Sequence, residues 1–354
     1  MFAAVALLVV HACSSGTGAA DQTTGPGPGT PSVDTIALRV LADRRGLRIG
    51  SAVDRGFRFA GADGVKFRAV LAREFSVLTP ENDMKHERIH PGRDVYRFEP
   101  ADSLVAFAEA NGMSVRGHTL VWHRQLATWL TSGSWTQAEA EALLVDHIAH
   151  VAGHYKGRVL AWDVVNEALA DDGSLRAGFW LDHIGPDYIE LAFRAARDAD
   201  PGAMLFYNDY NIEGINAKSD SAYAMIRELR LKGVPIDGVG MQAHFQLGGV
   251  PSSLAANIAR FTALGVKVHI TELDIRIPLP SSAAQLQTQA LNYRDVFNAC
   301  LQTPGCDAIV LWGFTDRESW IPDSFSGWGE ALPFDAGYQP KPAYWSIYNL
   351  LSGR

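Results

Sequence analysis

Apolar and polar residues are grouped along this chain in blocks of two periods. From residue 34 onward, apolar runs of strand length fall at 47–53, 75–81, 114–122, 159–166, 203–208, 238–244, 267–272 and 308–314. Between most of them apolar residues recur at helical spacing, as at 101–111, 137–155, 189–199, 217–232, 252–264 and 283–299. Gly112 and Gly265 follow two of these stretches, where a helix is expected to end on glycine. Strand and helix alternating eight times in roughly 320 residues predicts an α/β fold, a (β/α)8 TIM barrel in a single domain. An open doubly wound sheet is the competing arrangement, but no Gly-x-Gly-x-x-Gly follows the first run.

The seventh run continues as VHITELDI (268–275), opening apolar and closing on two carboxylates, Glu272 and Asp274. Strand alternation puts both on one side. An unpaired buried carboxylate is costly, so such a strand makes sense when its last residues emerge into a site. The plainer reading is a strand end whose acids meet solvent or cap the next helix. The fourth run weakens that reading, because VLAWDVVNE (159–167) also ends on a glutamate, Glu167. Two strands delivering one glutamate each is what a two-carboxylate glycosidase requires.

In a barrel all strand ends open at one mouth. The second run would bring Glu81, Asn82 and Lys85 there, and the third His118, Trp122, His123 and Gln125. Asn166 and Glu167 follow from the fourth, Asn208, Asp209 and Tyr210 from the fifth, and Gln242 and His244 from the sixth. Trp312, Arg317 and Trp320 follow the eighth. Folding alone does not require polar and aromatic residues to gather at one end of nearly every strand. A site does.

Composition narrows the partners. A net charge of −8 with no basic tract argues against a nucleic-acid binder. Nine tryptophans and ten tyrosines offer flat faces suited to sugar rings, although most, Trp162 among them, are expected in the core. Residues 2–10 are apolar but fall short of the ~20 needed to cross a bilayer, and they resemble the core of an export signal. They lead to VHAC (10–13), similar to a bacterial lipobox in which Cys13 would be lipidated. Two features depart from that pattern: His11 stands where a small residue is usual, and no Lys or Arg precedes Arg39. A translation start further upstream would explain the second. Residues 1–13 are thus read as an export or lipoprotein signal, 14–33 as a flexible linker of small and turn-forming residues, and 34–354 as the catalytic domain. The expected product is an exported monomer, secreted or lipid-anchored to a bacterial membrane. Cys300 and Cys306 bracket a turn-rich LQTPG segment and are expected to pair as a disulfide, with two buried thiols as the alternative.

At this point the chain resembles glycoside hydrolase family 10, the xylanase family. GVKVHITELDI (265–275) looks like that family's nucleophile signature, and ENDMK (81–85), GHTLVWH (117–123), WDVVNEA (162–168) and GVGMQAH (238–244) match in order. LWGFTDR (311–317) and PKPAY (340–344) also fit, so the resemblance spans residue 47 to the end. It implies an endo-β-1,4-xylanase that retains anomeric configuration and needs no cofactor or metal. Glu272 would be the nucleophile and Glu167 the acid/base. His244 and Asp274 would form a relay orienting Glu272, and Asn166 would meet the sugar 2-hydroxyl. Glu81, Asn82, Lys85, His118 and Gln125 would bind the glycone, Trp122, Trp312 and Trp320 would wall it, and Gln242 would also contact substrate. Tyr210 would stack on the aglycone side. His123 is expected to bond only a loop carbonyl, Asp163 to pair with a base, and Arg317 to orient loop acids. One departure is His86, where the family often has Trp; it bears on packing and fine specificity near that subsite.

Xylan and xylo-oligosaccharides are therefore the expected partners. The alternatives are a barrel glycosidase acting on β-1,4-glucans, a surface carbohydrate-binding protein that has lost catalysis, and a metal-dependent barrel hydrolase. Retention of both glutamates argues against the second. The third would need converging His and Asp ligands; no His-x-His spacing is present, and His118, His123 and His244 lie on strands whose other residues suit sugar better.

Overall fold

A computed structural model of the chain describes residues 35–354. The expected signal and linker, with Cys13, lie outside the described residues. The eight barrel strands are β1 (Arg48–Val53), β2 (Val77–Pro80), β3 (Ser114–Val121), β4 (Ala161–Asn166), β5 (Met204–Asp209), β6 (Gly238–Met241), β7 (Lys267–Pro278) and β8 (Cys306–Leu311). Each pairs in parallel with the next. β8 returns to β1 with Ile309 opposite Ile49, which closes the (β/α)8 barrel. Both faces of such strands are covered, which is why they read as continuous apolar runs rather than alternating ones. Every residue of β2, β4 and β6 is buried.

Among the described residues, a helix follows each strand on the outside: Gly61–Glu74, Glu99–Ala110, Gln137–His154, Tyr188–Ala199, Ala217–Leu231, Leu254–Thr262, Ala283–Gln302 and Pro342–Ser352. Local chemistry sets several starts. Thr136 with Glu139, Asn216 with Ser219 and Ser282 with Gln285 satisfy each other's first-turn N–H groups. Gly112 and Gly265 take φ of 60° and 76° beyond their helices, as expected. Cys300 and Cys306 form a disulfide, joining the last turn of the seventh helix to the start of β8.

Alternation along β3 and β4 separates bulk on one face from a buried charge network on the other. Trp162 is fully buried, as expected, and lies so close to Gly117 that a Cβ there would fall 2.2 Å from its ring. Arg116 pairs with Asp163 and meets His269 Nδ1 at 2.9 Å, so the expected base partner of Asp163 is Arg116. Burial would raise the Asp163 carboxyl, but Arg116 and His118 outweigh it and hold it below the usual range.

The strand ends differ from the sequence expectation where the site forms. The sixth run, expected as one strand over 238–244, breaks after Met241 because Ala243 takes a left-handed φ of 65°. His244–Gln246 then forms a separate short strand beside β7, with His244 opposite Asp274. β7 itself runs on past Glu272 to Pro278. β8 begins at Cys306 and ends at Leu311 rather than covering 308–314, and Gly313 at φ 91° turns the chain just beyond it.

Candidate active site

Glu167 is the first residue past β4, and Glu272 lies within β7 with 4% of its surface exposed. Both line one cleft of about 550 Å³ at the C-terminal mouth of the barrel, within the usual size of a ligand pocket. Glu81, Asn82, Lys85, His118, Trp122, Gln125, Asn166, Tyr210, Gln242, His244, Trp312 and Trp320 line the same cleft. Asp274 does not; it is fully buried behind His244.

Two side chains fix Glu272. Asn208 Nδ2 donates to its Oε1 at 2.7 Å, and His244 Nε2 meets its Oε2 at 3.0 Å. The other imidazole nitrogen meets Asp274 Oδ2 at 3.0 Å, and Trp320 Nε1 donates to that same oxygen at 2.7 Å. Burial alone would favour neutral His244, but Asp274 and Glu272 outweigh it and raise its pKa to about 10. An imidazolium therefore sits between two carboxylates and donates to both. His118 adds a nitrogen 4.0 Å from Glu272 Oε1.

Glu167 is tied into the same floor. Gln242 Nε2 donates to its Oε1 at 3.1 Å, and Asn208 Nδ2 also donates to Asn166 Oδ1 at 2.8 Å. Because Asn208 gives that amide to the Glu272 carboxylate as well, the Asn166 atom facing it must be the oxygen. Asn208 can occupy this place only because residue 240 is glycine: a Cβ there would lie 2.2 Å from Asn208 Oδ1. Glu167 takes a left-handed φ of 56°. The sequence expectation for His123 is corrected here. Its Nδ1 faces Glu167 Oε2 at 3.9 Å rather than a loop carbonyl. Burial, reinforced by Arg176 and opposed by Glu167, lowers its pKa to about 4, so it is neutral beside the carboxyl.

One end of the cleft is built on Lys85, whose Nζ donates to Asn82 Oδ1 at 3.0 Å and lies 4.9 Å from the Trp122 ring centre. Burial pushes Glu81 up to about 7 against the pull of Lys85, and burial lowers Lys85 despite Glu81. His86 packs away from the cleft against His90 and His147, with ring centres 5.0 and 4.6 Å away. Arg317 pairs with Asp63 at 2.8 Å and is not among the cleft residues, as expected.

This geometry has known counterparts. Residues 37–350 match glycosyl hydrolase family 10. The chain belongs to that family. Endo-1,4-beta-xylanase B of Thermotoga neapolitana is 49% identical over 318 residues, covering 89% of this chain and 92% of that protein. Endo-1,4-beta-xylanase A of Phanerodontia chrysosporium is 40% identical over 88% of this chain and 76% of its own length. The crystal structure of xylanase 10B from Thermotoga petrophila RKU-1 in complex with xylobiose superposes with a TM-score of 0.88 at 48% identity, covering 91% of this chain and 99% of that one. Membership of family 10 makes the chain a glycoside hydrolase built on a (β/α)8 barrel.

Sequence reasoning placed the residues at the strand ends and missed those that reach the family 10 cleft from loops. Arg176, Asn211 and Phe325 line it, where no local pattern marks them, and Arg276 also reaches it from β7 past Glu272. Glu213 was also missed. Its buried Oε1 accepts the Ala243 N–H at 2.7 Å and so pins the strained turn between Gln242 and His244. Asn257 Nδ2 in turn reaches the carbonyls of Ile212, Glu213 and Gly214 at 2.7–3.2 Å.

Proposed function

We infer that the protein is an endo-1,4-β-xylanase that cleaves internal xylosidic bonds by a double displacement. The reading rests on one observation above all: the two strand-end glutamates share a cleft in unlike settings. Glu272 is held by Asn208 and the His244 cation. Glu167 accepts from the neutral donors Gln242 and Asn166 and faces the uncharged His123.

Glu272, oriented by Asn208 and His244, attacks the anomeric carbon, while Glu167 protonates the leaving oxygen. In the second step Glu167 takes a proton from water, which displaces Glu272. Asn166, fixed by Asn208 beside Glu272, is placed to donate to the 2-hydroxyl. Lys85, Asn82 and Glu81 bind glycone hydroxyls against the walls formed by Trp122, Trp312 and Trp320, while Tyr210 serves the aglycone side. Xylose as the sugar follows from the xylanase relatives and from xylobiose in the neighbouring structure. Export and a lipid on Cys13 rest on the sequence alone. Lipid labelling of the full chain and its Cys13→Ser variant tests the anchor.

The decisive assay compares purified wild type, Glu272→Ala and Glu167→Ala on xylan and cellulose. Short xylo-oligosaccharides from wild type alone support the reading. Activity on cellulose but not xylan would move the specificity and keep the mechanism, whereas activity surviving in Glu272→Ala would sink the mechanism.

A further inference from the structure

Glu167 is held in the left-handed region, a conformation that costs a non-glycine residue roughly 1–2 kcal/mol. Something must hold it there. Its N–H donates to Asn208 O at 2.8 Å. Its carbonyl accepts from Arg176 Nε at 3.0 Å. The same guanidinium uses Nη2 to donate to Leu169 O at 2.6 Å and to the Tyr210 hydroxyl at 2.8 Å. The Arg176 backbone N–H donates to Ala168 O at 2.7 Å, so one residue gathers the carbonyls of 167, 168 and 169. Tyr210 is further fixed by Lys218 Nζ, 3.5 Å from its ring centre.

We propose that Arg176 is a positioning residue that locks Glu167 in its proton-donating pose and joins it to Tyr210 as one rigid unit. The inference rests on Glu167 being the acid/base. The oxygen that Glu167 protonates is the one that leaves with the aglycone sugar. Tying the acid to the aglycone platform keeps proton donor and leaving group in register, and a misplacement of about 1 Å costs on the order of 100-fold in rate. Only a planar fork can serve two carbonyls and a phenol together; a lysine ammonium keeps the charge and loses the fixed directions.

The test exploits leaving-group chemistry. Breaking a xylan bond requires protonation of the departing oxygen, whereas a 2,4-dinitrophenyl β-xylobioside releases a stable phenolate without it. Arg176→Met, Arg176→Lys and Tyr210→Phe are compared with wild type on both substrates. Arg176→Met should lose on the order of 100-fold in kcat/KM on xylan and only a few-fold on the aryl glycoside. Arg176→Lys should show the same split with smaller amplitude, and Tyr210→Phe a smaller one still, since the backbone contacts remain.

Azide supplies a second readout. It attacks the anomeric carbon of the glycosyl-enzyme, a C–N bond forms, the ester bond to Glu272 breaks, and no proton has to be removed. Added azide should therefore raise kcat of the arginine variants on the aryl substrate, yield xylobiosyl azide, and leave wild type unchanged. Equal losses on both substrates with no azide response, or full xylan activity in Arg176→Met, would overturn the proposal. If Arg176→Met melts below the assay temperature, Arg176→Lys decides by the same criteria. A wild type inactive on both substrates would instead refute the functional reading itself.

Discussion

Replacing His244 with glutamine removes the cation that separates two buried carboxylates while keeping a side-chain donor. The imidazole contacts Glu272 and Asp274 at 3.0 Å each, and only 15% of the side chain is exposed. With charge centres about 4 Å apart and an effective dielectric of about 20, each pairing is worth roughly 4 kcal/mol before desolvation is counted. His244→Gln should therefore lower kcat/KM on xylan by up to about 100-fold, because the imidazole that holds Glu272 in place is gone.

Stability supplies an independent check. The folded pKa of about 10 lies above the ordinary 6.5, so the folded state binds the proton more tightly. That contribution is fully present below pH 6.5 and disappears as pH rises through 10. The linkage gives about 5 kcal/mol at pH 6 and about 3 kcal/mol at pH 8. Urea unfolding of wild type and His244→Gln should therefore show a gap that narrows steadily from pH 6 to pH 10. Unchanged kcat/KM together with a pH-independent stability gap would refute the reasoning.

Other perturbations probe the scaffold. Gly117→Ala puts a Cβ 2.2 Å from the Trp162 ring, and unfolding experiments should show a loss of roughly 1–3 kcal/mol, or more if the indole cannot shift. Replacing both Cys300 and Cys306 with alanine opens a short loop, and urea melts should report a loss of about 2 kcal/mol. Burial lowers His86 to about 3, and burial also lowers His90 and His147. Stability from His86 is present above pH 6.5 and is lost as pH falls towards 3, so His86→Leu should flatten the acid decline seen in circular dichroism. An unchanged slope would show that the carboxylates alone govern acid unfolding.

What the sequence determined was the set of elements and what stands at their ends. Period two against period 3.6 is a local property, so the barrel could be read from spacing alone. Because strand alternation is local too, Glu272 and Asp274 could be put on one side from the sequence, and Glu167 followed from the parallel ending of the fourth run. Only the tertiary structure decided which partners these residues meet. His244 was expected at the end of one strand, yet it reaches Asp274 because the chain breaks at Ala243 and restarts beside β7. Asn208 touches Glu272, 64 residues away, through the gap left by Gly240. Arg176 and Glu213 come from loops, where no period constrains the side chain. Hydrophobic pattern encodes how each segment lies on the core, whereas contacts between strand ends depend on register and barrel closure, which no segment carries by itself.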